Sequence, residues 1–236
     1  MFKIALGAGH GINTAGKRCM KALDPNETRE WWLNDRICDY VEDFLKDYNG
    51  YELQRLDDSD DGKEDTALAA RVNQANTWGA DFYLSVHHNA GINGGSGGGI
   101  VAIVCPNCSA ESKAWQKALY DALIDRTGLK GNRYTPLASS NLYVLKNTTM
   151  PAVLLELGFM DSRTDVPVIL SDEYAQKCAK AIVEVLVERG KLTKKAAAST
   201  GTLYRVQVGA FRDKDNAERL KKELAEKGYQ VYMVRV

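Results

Sequence analysis

The sequence has no run of about 18 apolar residues, the length that a membrane-spanning helix requires, so we expect no transmembrane segment and no membrane partner. Its charges cancel, with 31 Lys and Arg residues against 31 Asp and Glu residues, and the whole-chain charge gives no support for a nucleic-acid partner. Histidine is scarce, with only 3 residues in the chain. An imidazole-based site must therefore use His10, His87 or His88.

Cysteine is also infrequent and irregularly spaced, and the residues are odd in number: Cys19, Cys38, Cys105, Cys108 and Cys178. No secretory leader precedes the first predicted strand, so we expect synthesis in the cytoplasm without a signal peptide, and free thiols rather than a disulfide framework. Cys105 and Cys108 have the spacing of half a zinc knuckle. No second pair has similar spacing, which favours a metal-free turn.

Charge is unevenly distributed along the chain. Residues 1–190 carry 20 basic and 26 acidic side chains, whereas residues 203–236 carry 8 basic and 5 acidic side chains. Between them, residues 191–202 have little to bury, which is typical of a linker. We therefore predict a main domain at 1–190, a linker at 191–202 and a separate small unit at 203–236.

Short apolar runs alternate with longer helical patterns, which predicts an α/β fold with an open, mostly parallel sheet flanked by helices. The predicted strands of the main domain are 3–8, 51–56, 81–87, 99–104, 142–146 and 151–157. Its predicted helices are 27–48, 65–78, 110–127 and 172–190. The small unit is predicted as a βαβ arrangement, with a strand at 203–210, a helix at about 214–227 and a strand at 229–236.

The histidines lie where an open α/β sheet places its ligand crevice. His10 follows the first predicted strand, and His87 and His88 end another, so all three belong to carboxyl ends of strands. Catalytic zinc takes imidazole nitrogens and a carboxylate, and leaves one position to water. Glu30, on the apolar face of the first predicted helix, is the best carboxylate ligand, with Glu27 as its competitor one turn earlier. Successive strand residues point to opposite faces, so only one of His87 and His88 should bind, and spacing alone does not decide which.

A second carboxylate, Glu156, lies at the far end of the almost wholly apolar strand at 151–157. An acid in that position is costly unless it serves a metal site. Glu156 is therefore our candidate general base.

Two glycine-containing segments carry weaker signals. The glycine loop, residues 91–99, is too rich in glycine for a regular element and predicts a mobile segment beside a site. Residues 11–18 approach a phosphate-binding loop, but Arg18 follows Lys17 where such a loop needs Ser or Thr to hold magnesium. We therefore expect no nucleotide site.

Four ordered segments together resemble the N-acetylmuramoyl-L-alanine amidases of the Amidase_3 family over roughly residues 3–189. They are Gly9-His10-Gly11, Thr28-Arg29-Glu30, Arg71-Val72-Asn73-Gln74-Ala75-Asn76 leading to Ser85-Val86-His87, and Pro151 through Phe159. The resemblance implies zinc-dependent hydrolysis of the amide bond between N-acetylmuramic acid and L-alanine in bacterial peptidoglycan.

The same resemblance implies a role for each site residue. His10, Glu30 and His87 would hold Zn²⁺, and Glu156 would be the catalytic glutamate, which favours Glu30 over Glu27 and His87 over His88. One departure is Gly7-Ala8, where the family usually has Asp-Pro before Gly-His. We expect this departure to alter the surroundings of His10 without removing a ligand.

The small unit resembles about half of a SPOR domain, a module associated with binding peptidoglycan glycan strands. The matching residues are Tyr204 through Phe211, Asn216-Ala217-Glu218-Arg219-Leu220 and Gly228-Tyr229. A unit below about 40 residues rarely covers an apolar face alone, so we expect it to borrow surface, and we favour a homodimer through this unit. Without a signal peptide, the protein would reach the cell wall after release through a holin or on lysis, as a phage endolysin or an autolysin does.

Two rival functions fit the same fold. One is an enzyme that acts on another amide, and the other is a cell-wall-binding protein that has lost catalysis. Retention of all four site residues argues against the second rival.

Overall fold

The structure is a computed structural model of the chain, and it describes residues 1–196, 208–211, 213–229 and 231–233. The chain forms two compact units, Met1–Lys195 and Ala196–Val236. Among the residues described, no helix combines the length and apolar character needed to cross a membrane.

Strands and helices alternate along the first unit, as predicted. The strands are β1 Phe2–Ala8, β2 Tyr48–Asn49, β3 Tyr51–Arg55, β4 Phe82–Asn89, β5 Ile100–Val104, β6 Leu137–Ser139, β7 Ala152–Phe159 and β8 Thr193–Lys194. The helices are α1 Glu30–Leu45, α2 Leu68–Trp78, α3 Ala110–Thr127, α4 Tyr143–Lys146, α5 Val166–Ile169 and α6 Asp172–Gly190, and the second unit contributes α7 Lys214–Glu226.

Six strands form one sheet in the order β3-β1-β4-β7-β5-β6. Strands β3, β1, β4 and β7 are parallel, β5 runs antiparallel to β7, and β6 is parallel to β5. This confirms the predicted α/β fold with a mostly parallel sheet. The carboxyl ends of β1, β4 and β7 therefore meet at one edge, together with the start of β5.

The two faces of the sheet have separate cores, because successive strand residues point to opposite sides. The larger core joins α1, α3 and α6 to one face, which includes Leu6, Leu84 and Leu155. The smaller core lies on the other face, where Tyr83 and Leu154 pack with residues of α2 and α4. Helices flank the sheet on both sides, as the sequence predicts.

Helix α1 begins three residues later than predicted. Glu27 has a left-handed backbone, with φ of 49°, which a helix does not accommodate. The Asp24 carboxylate accepts hydrogen bonds from the backbone N–H groups of Asn26 and Thr28, and this turn precedes the helix. Glu27 thus belongs to a turn, and Glu30 is the first helical residue.

The prediction of a strand at 142–146 is wrong, because Tyr143–Lys146 forms the single-turn helix α4. Adjacent apolar residues there resemble a buried strand, but both Val144 and Leu145 pack into the smaller core. The Thr148 hydroxyl donates to the carbonyl of Val144 and helps to close the helix end.

The first unit continues into the range predicted as a linker. Thr193–Lys194 forms β8, which pairs antiparallel with β2, and Leu192 is buried. In the second unit, the predicted helix is present as α7, and the Asp213 carboxylate caps its first turn. The described residues 208–211, 229 and 231–233 are in neither helix nor strand. The other residues of the two predicted tail strands lie outside the described residues.

Candidate metal centre

The candidate site lies at the sheet edge where β1 and β4 end. The structure brings together His10, which follows β1, His87 in β4 and Glu30 at the start of α1. One ligand atom from each of these residues lies within 4.8 Å of the others. Glu30 Oε1 is 3.1 Å from His87 Nδ1 and 3.4 Å from His10 Nε2. Two imidazoles and one carboxylate are the donor set that a catalytic zinc site uses.

The backbone around His10 explains the Gly-His-Gly sequence. A Cβ on Gly9 would lie 2.0 Å from His87 Cε1, so the His87 ring occupies the place of a side chain. A Cβ on Gly11 would lie 3.0 Å from backbone atoms of the loop at Gly62 and Asp65. His10 itself has φ of 66°, an unusual conformation for a residue with a Cβ. Glycine on both sides of His10 thus allows the close packing that places its imidazole.

Glu30 is the central residue of the cluster and is 1% exposed. Burial alone would raise the pKa of Glu30, but the hydrogen bond from His87, together with the charges of His87, His10 and Lys17, lowers it to about 2. The carboxylate is therefore ionised at neutral pH. Its Oε2 atom has no hydrogen-bond partner within the described residues, and the Lys17 ammonium is 3.6 Å away.

His10 is held in the form that a metal needs. Burial lowers the pKa of His10 to about 4, although the Glu30 carboxylate opposes this shift. The imidazole is therefore neutral at pH 7, and a neutral ring nitrogen can donate its lone pair to a metal.

The structure decides between Glu27 and Glu30, and between His87 and His88, which the spacing in the sequence could not do. Glu27 faces the surface, where its carboxylate pairs with Arg18 at 3.1 Å and with Lys21 at 3.9 Å. His88 points to the opposite side of β4 from His87 and is 2% exposed. Its Nδ1 is 2.8 Å from the Asn34 side-chain oxygen, and burial lowers the pKa of His88 to about 3. Neither Glu27 nor His88 joins the cluster.

Glu156 lies on β7 directly beside His87 on β4, since the two residues are partners in the parallel register. Its Oε2 atom is buried without a hydrogen-bond partner in the described structure. Burial raises the pKa of Glu156 to about 7, and the Glu30 charge contributes, whereas His87 and Lys17 oppose the shift. A carboxyl group in this condition can exchange a proton near neutral pH.

Lys17 belongs to the site, although sequence reasoning considered it only as part of a phosphate-binding loop. Its backbone carbonyl accepts a hydrogen bond from the Glu30 N–H at 3.1 Å, which anchors the loop beside the first turn of α1. No helix begins between β1 and Glu30, so the strand-loop-helix order of a phosphate-binding loop is missing from this part of the structure. The position of Lys17 in the sequence could have indicated this role, because the loop that joins His10 to Glu30 must pass beside the site.

The glycine loop forms hydrogen bonds at both of its ends, and its mobility stays a prediction. The Asp161 carboxylate accepts three backbone hydrogen bonds, each of 2.8 Å, from residues 91–93. The Asp165 carboxylate accepts from the backbone of Gly99 at 2.7 Å. A Cβ on Gly98 would lie 2.6 Å from the same carboxylate. Glycine is needed in this loop because several of its residues have positive φ angles and because close neighbours leave no room for a Cβ.

The five cysteines are free thiols, as predicted. The backbone N–H of Cys108 donates to the carbonyl of Cys105 at 3.1 Å, so the pair forms the expected turn. This turn follows the end of β5, which is the sheet edge opposite the metal cluster.

Comparison with known proteins decides the family. Residues 4–188 match the Amidase_3 family, described as N-acetylmuramoyl-L-alanine amidase. The chain belongs to this amidase family. Residues 190–236 match the SPOR domain. The first unit is thus the peptidoglycan amidase domain, and the predicted similarity to a SPOR module is confirmed.

Several known proteins are similar to the chain in sequence. The chain is similar to N-acetylmuramoyl-L-alanine amidase CwlM of Bacillus licheniformis, with 29% identity over 234 residues, 99% of this chain and 85% of the relative. It is 30% identical to the sporulation-specific N-acetylmuramoyl-L-alanine amidase of Bacillus subtilis over 97% of this chain and 83% of the relative. An endolysin of Bacillus phage SPP1 is 30% identical over 82% of this chain and 68% of its own length.

A solved structure supports the fold. The catalytic domain of the amidase CwlV from Bacillus (Paenibacillus) polymyxa var. colistinus superposes with a TM-score of 0.71 at 23% identity, and the match covers 82% of this chain and 100% of that domain.

Proposed function

We propose that this chain is a zinc-dependent amidase that cleaves the bond between N-acetylmuramic acid and L-alanine in peptidoglycan. The observation that carries the proposal is the cluster of His10, Glu30 and His87 with Glu156 as the next residue across the sheet. We assign the first three residues as zinc ligands and Glu156 as the general base.

The residues present fit Zn²⁺ on their chemistry. His10 is neutral and Glu30 is ionised at pH 7, which are the protonation states of metal ligands. The buried Glu30 Oε2 atom accepts no hydrogen bond among the described residues and has the Lys17 ammonium at 3.6 Å as a charged neighbour, so this oxygen is available to bind a cation. Three protein ligands leave a fourth tetrahedral position for water or substrate.

Bound zinc would polarise the amide carbonyl and lower the pKa of a water molecule towards about 7. Glu156 would accept the proton of the attacking water and return it to the nitrogen of the departing L-alanine, since its raised pKa suits both steps. Glu30 would remain ionised throughout. Lys17, which lies 3.6 Å from Glu30, would contribute positive charge to a site that develops negative charge on oxygen.

The test of this function is digestion of purified cell walls, with and without a chelator. We expect new amino-terminal L-alanine, no new reducing sugar, and loss of activity when metal is removed. New amino termini of another residue would indicate cleavage of a different amide, and no product at all would indicate a binding protein.

Glu156→Gln separates the general base from the metal ligands. It should lower wall hydrolysis by about 10²- to 10⁴-fold while zinc content stays unchanged, because the amide is nearly isosteric but cannot accept the proton. Glu27→Gln is the matched control, since Glu27 forms surface ion pairs, and it should keep full activity. Unchanged turnover in Glu156→Gln would remove Glu156 from the mechanism.

For the whole chain we propose a division into a catalytic domain at 1–190, a linker at 191–202 and a cell-wall-binding unit at 203–236. The SPOR match supports binding of this unit to peptidoglycan glycan strands, and we propose that it also mediates a homodimer. The similarity to a phage endolysin supports synthesis in the cytoplasm and action on the wall after release.

A further inference from the structure

Three successive backbone carbonyls at the metal centre are bound by two buried side chains. Arg71 on α2 donates from Nη1 to the carbonyl of Ala8 at 2.5 Å and from Nη2 to that of His10 at 3.3 Å. Asn34 on α1 donates from its side-chain amide to the carbonyl of Gly9 at 3.2 Å. Arg71 is 3% exposed and Asn34 is 0% exposed. Neither residue belongs to the proposed ligand set.

This segment needs external support because its conformation is unfavourable. A left-handed backbone is strained at a residue with a Cβ, and His10 has φ of 66°. Such a residue keeps this conformation only where its surroundings fix it. Strand β1 ends at Ala8, so the carbonyls that follow lie beyond its ladder and require other donors.

The contacts of Arg71 show that its guanidinium serves backbone carbonyls. Its Nε donates to the carbonyl of Thr66 at 2.9 Å, and its ion pair with Asp65 is long, at 3.9 Å. Arg55, by contrast, lies 2.5 Å from the Asp35 carboxylate. Burying an arginine has a high desolvation cost, so the use of Arg71 to bind these carbonyls indicates that the backbone at His10 must be held in position.

Asn34 connects the same segment to a second ligand. A carbonyl can only accept, so the Asn34 amide must face Gly9 with its NH₂ group and turn its oxygen towards His88 Nδ1, 2.8 Å away. His88 therefore carries its proton on Nδ1 and donates. The backbone N–H of His88 lies 3.3 Å from Glu30 Oε1, so the contacts that run from Gly9 through Asn34 and His88 reach the ligand carboxylate.

We propose that Arg71 and Asn34 are positioning residues that hold residues 8–10 so that the His10 imidazole is in place before a metal binds. The proposal rests on the proposed function in one respect, that His10 is a metal ligand. Removing the outer partners of metal ligands typically weakens metal binding by about 10- to 100-fold. We expect the same range here, with little change in the overall fold.

Two variants test the contacts of Arg71 and those of Asn34 separately. Arg71→Lys keeps the positive charge but loses the planar guanidinium that donates to two carbonyls at once. Asn34→Asp keeps the shape of the side chain but places an oxygen, which cannot donate, beside the Gly9 carbonyl. Arg36→Lys is the matched control, because Arg36 also donates to three successive carbonyls, but to those of residues 169–171 rather than those of residues 8–10.

The readout is the zinc dissociation constant of the full chain, measured by competition with a chromogenic chelator well below each variant's melting temperature. Arg71→Lys and Asn34→Asp should weaken zinc binding by about 10- to 100-fold, whereas Arg36→Lys should lower the melting temperature and leave the dissociation constant unchanged. If Arg71→Lys does not fold, Asn34→Asp alone decides.

Unchanged zinc affinity in Asn34→Asp and in any folded Arg71→Lys would overturn the positioning role and leave the proposed function intact. An equal loss of affinity in Arg36→Lys would also overturn it, because general destabilisation would then explain the effect. If the unmodified chain binds no zinc, the proposed function fails first, and the positioning role fails with it.

Discussion

Gly9→Ala adds a single methyl group at the metal centre. The added Cβ would lie 2.0 Å from His87 Cε1, 2.3 Å from Nδ1 and 2.5 Å from Nε2. Gly9 is outside the left-handed region, so the backbone itself accepts alanine. The contact with the His87 ring is therefore the main expected effect of the substitution.

The size of the effect follows from these distances. Carbon atoms pack at about 3.5–4.0 Å, so the ring must withdraw by roughly 1.5 Å. Metal–ligand distances tolerate only about 0.2 Å of change. His87 would then no longer reach a zinc ion held by His10 and Glu30. Because loss of a mere outer partner costs about 10- to 100-fold in affinity, loss of a ligand should cost at least about 100-fold.

The measurement is zinc content after dialysis, together with chelator competition and the wall-digestion assay. Gly16→Ala is the control, since Gly16 has φ of 75° and an added Cβ meets nothing within 4 Å. That variant should lose about 1–2 kcal/mol of folding stability and keep its zinc. Gly9→Ala protein that retains stoichiometric zinc and normal turnover would refute the assignment of His87 as a ligand.

Three further predictions test neighbouring features. His10→Ala and His87→Ala should each lose zinc and activity, whereas His88→Ala should lose stability but keep its metal, as metal analysis and thermal melts would show. Asp161→Ala removes the acceptor of three backbone N–H groups and should expose the glycine loop to proteolysis; resistance equal to that of the unmodified chain would contradict this. A chain ending at Lys195 should be monomeric and still cut soluble muramoyl-peptide, whereas the full chain should be dimeric by light scattering; a full chain that stays monomeric at high micromolar concentration would exclude pairing through the tail.

The fold could be predicted from the sequence because its signals are local and repeated. The sequence predicts helix α3 at its observed bounds. In the structure, Ser109 caps the first turn of this helix, and Gly128 ends it in a left-handed conformation. The short elements could not be predicted in this way. Strand β6, Leu137–Ser139, is an edge strand that takes its structure from β5 rather than from its own residues.

The ligand residues could be narrowed from the sequence but not chosen. Alternation along β4 predicts that His87 and His88 point to opposite faces, yet it does not say which face holds the cleft. That depends on α1, which buries Asn34 against His88 and brings Glu30 to His87. The roles of Arg71 and Asp161 rest on contacts across 63 and about 70 residues, and no local pattern records such contacts.

The two glutamates of the site acquire opposite proton affinities from their neighbours. Glu30 faces two imidazoles and the Lys17 ammonium, and these outweigh the cost of its burial, so its pKa is about 2. Glu156 is partly buried, and its Oε2 atom is fully buried without a described hydrogen-bond partner; burial and the nearby Glu30 charge together raise its pKa to about 7. Two carboxyl groups with such different pKa values can take different chemical roles in one site. Glu30 is therefore suited to permanent charge and metal binding, and Glu156 to carrying the proton from water to the leaving amine.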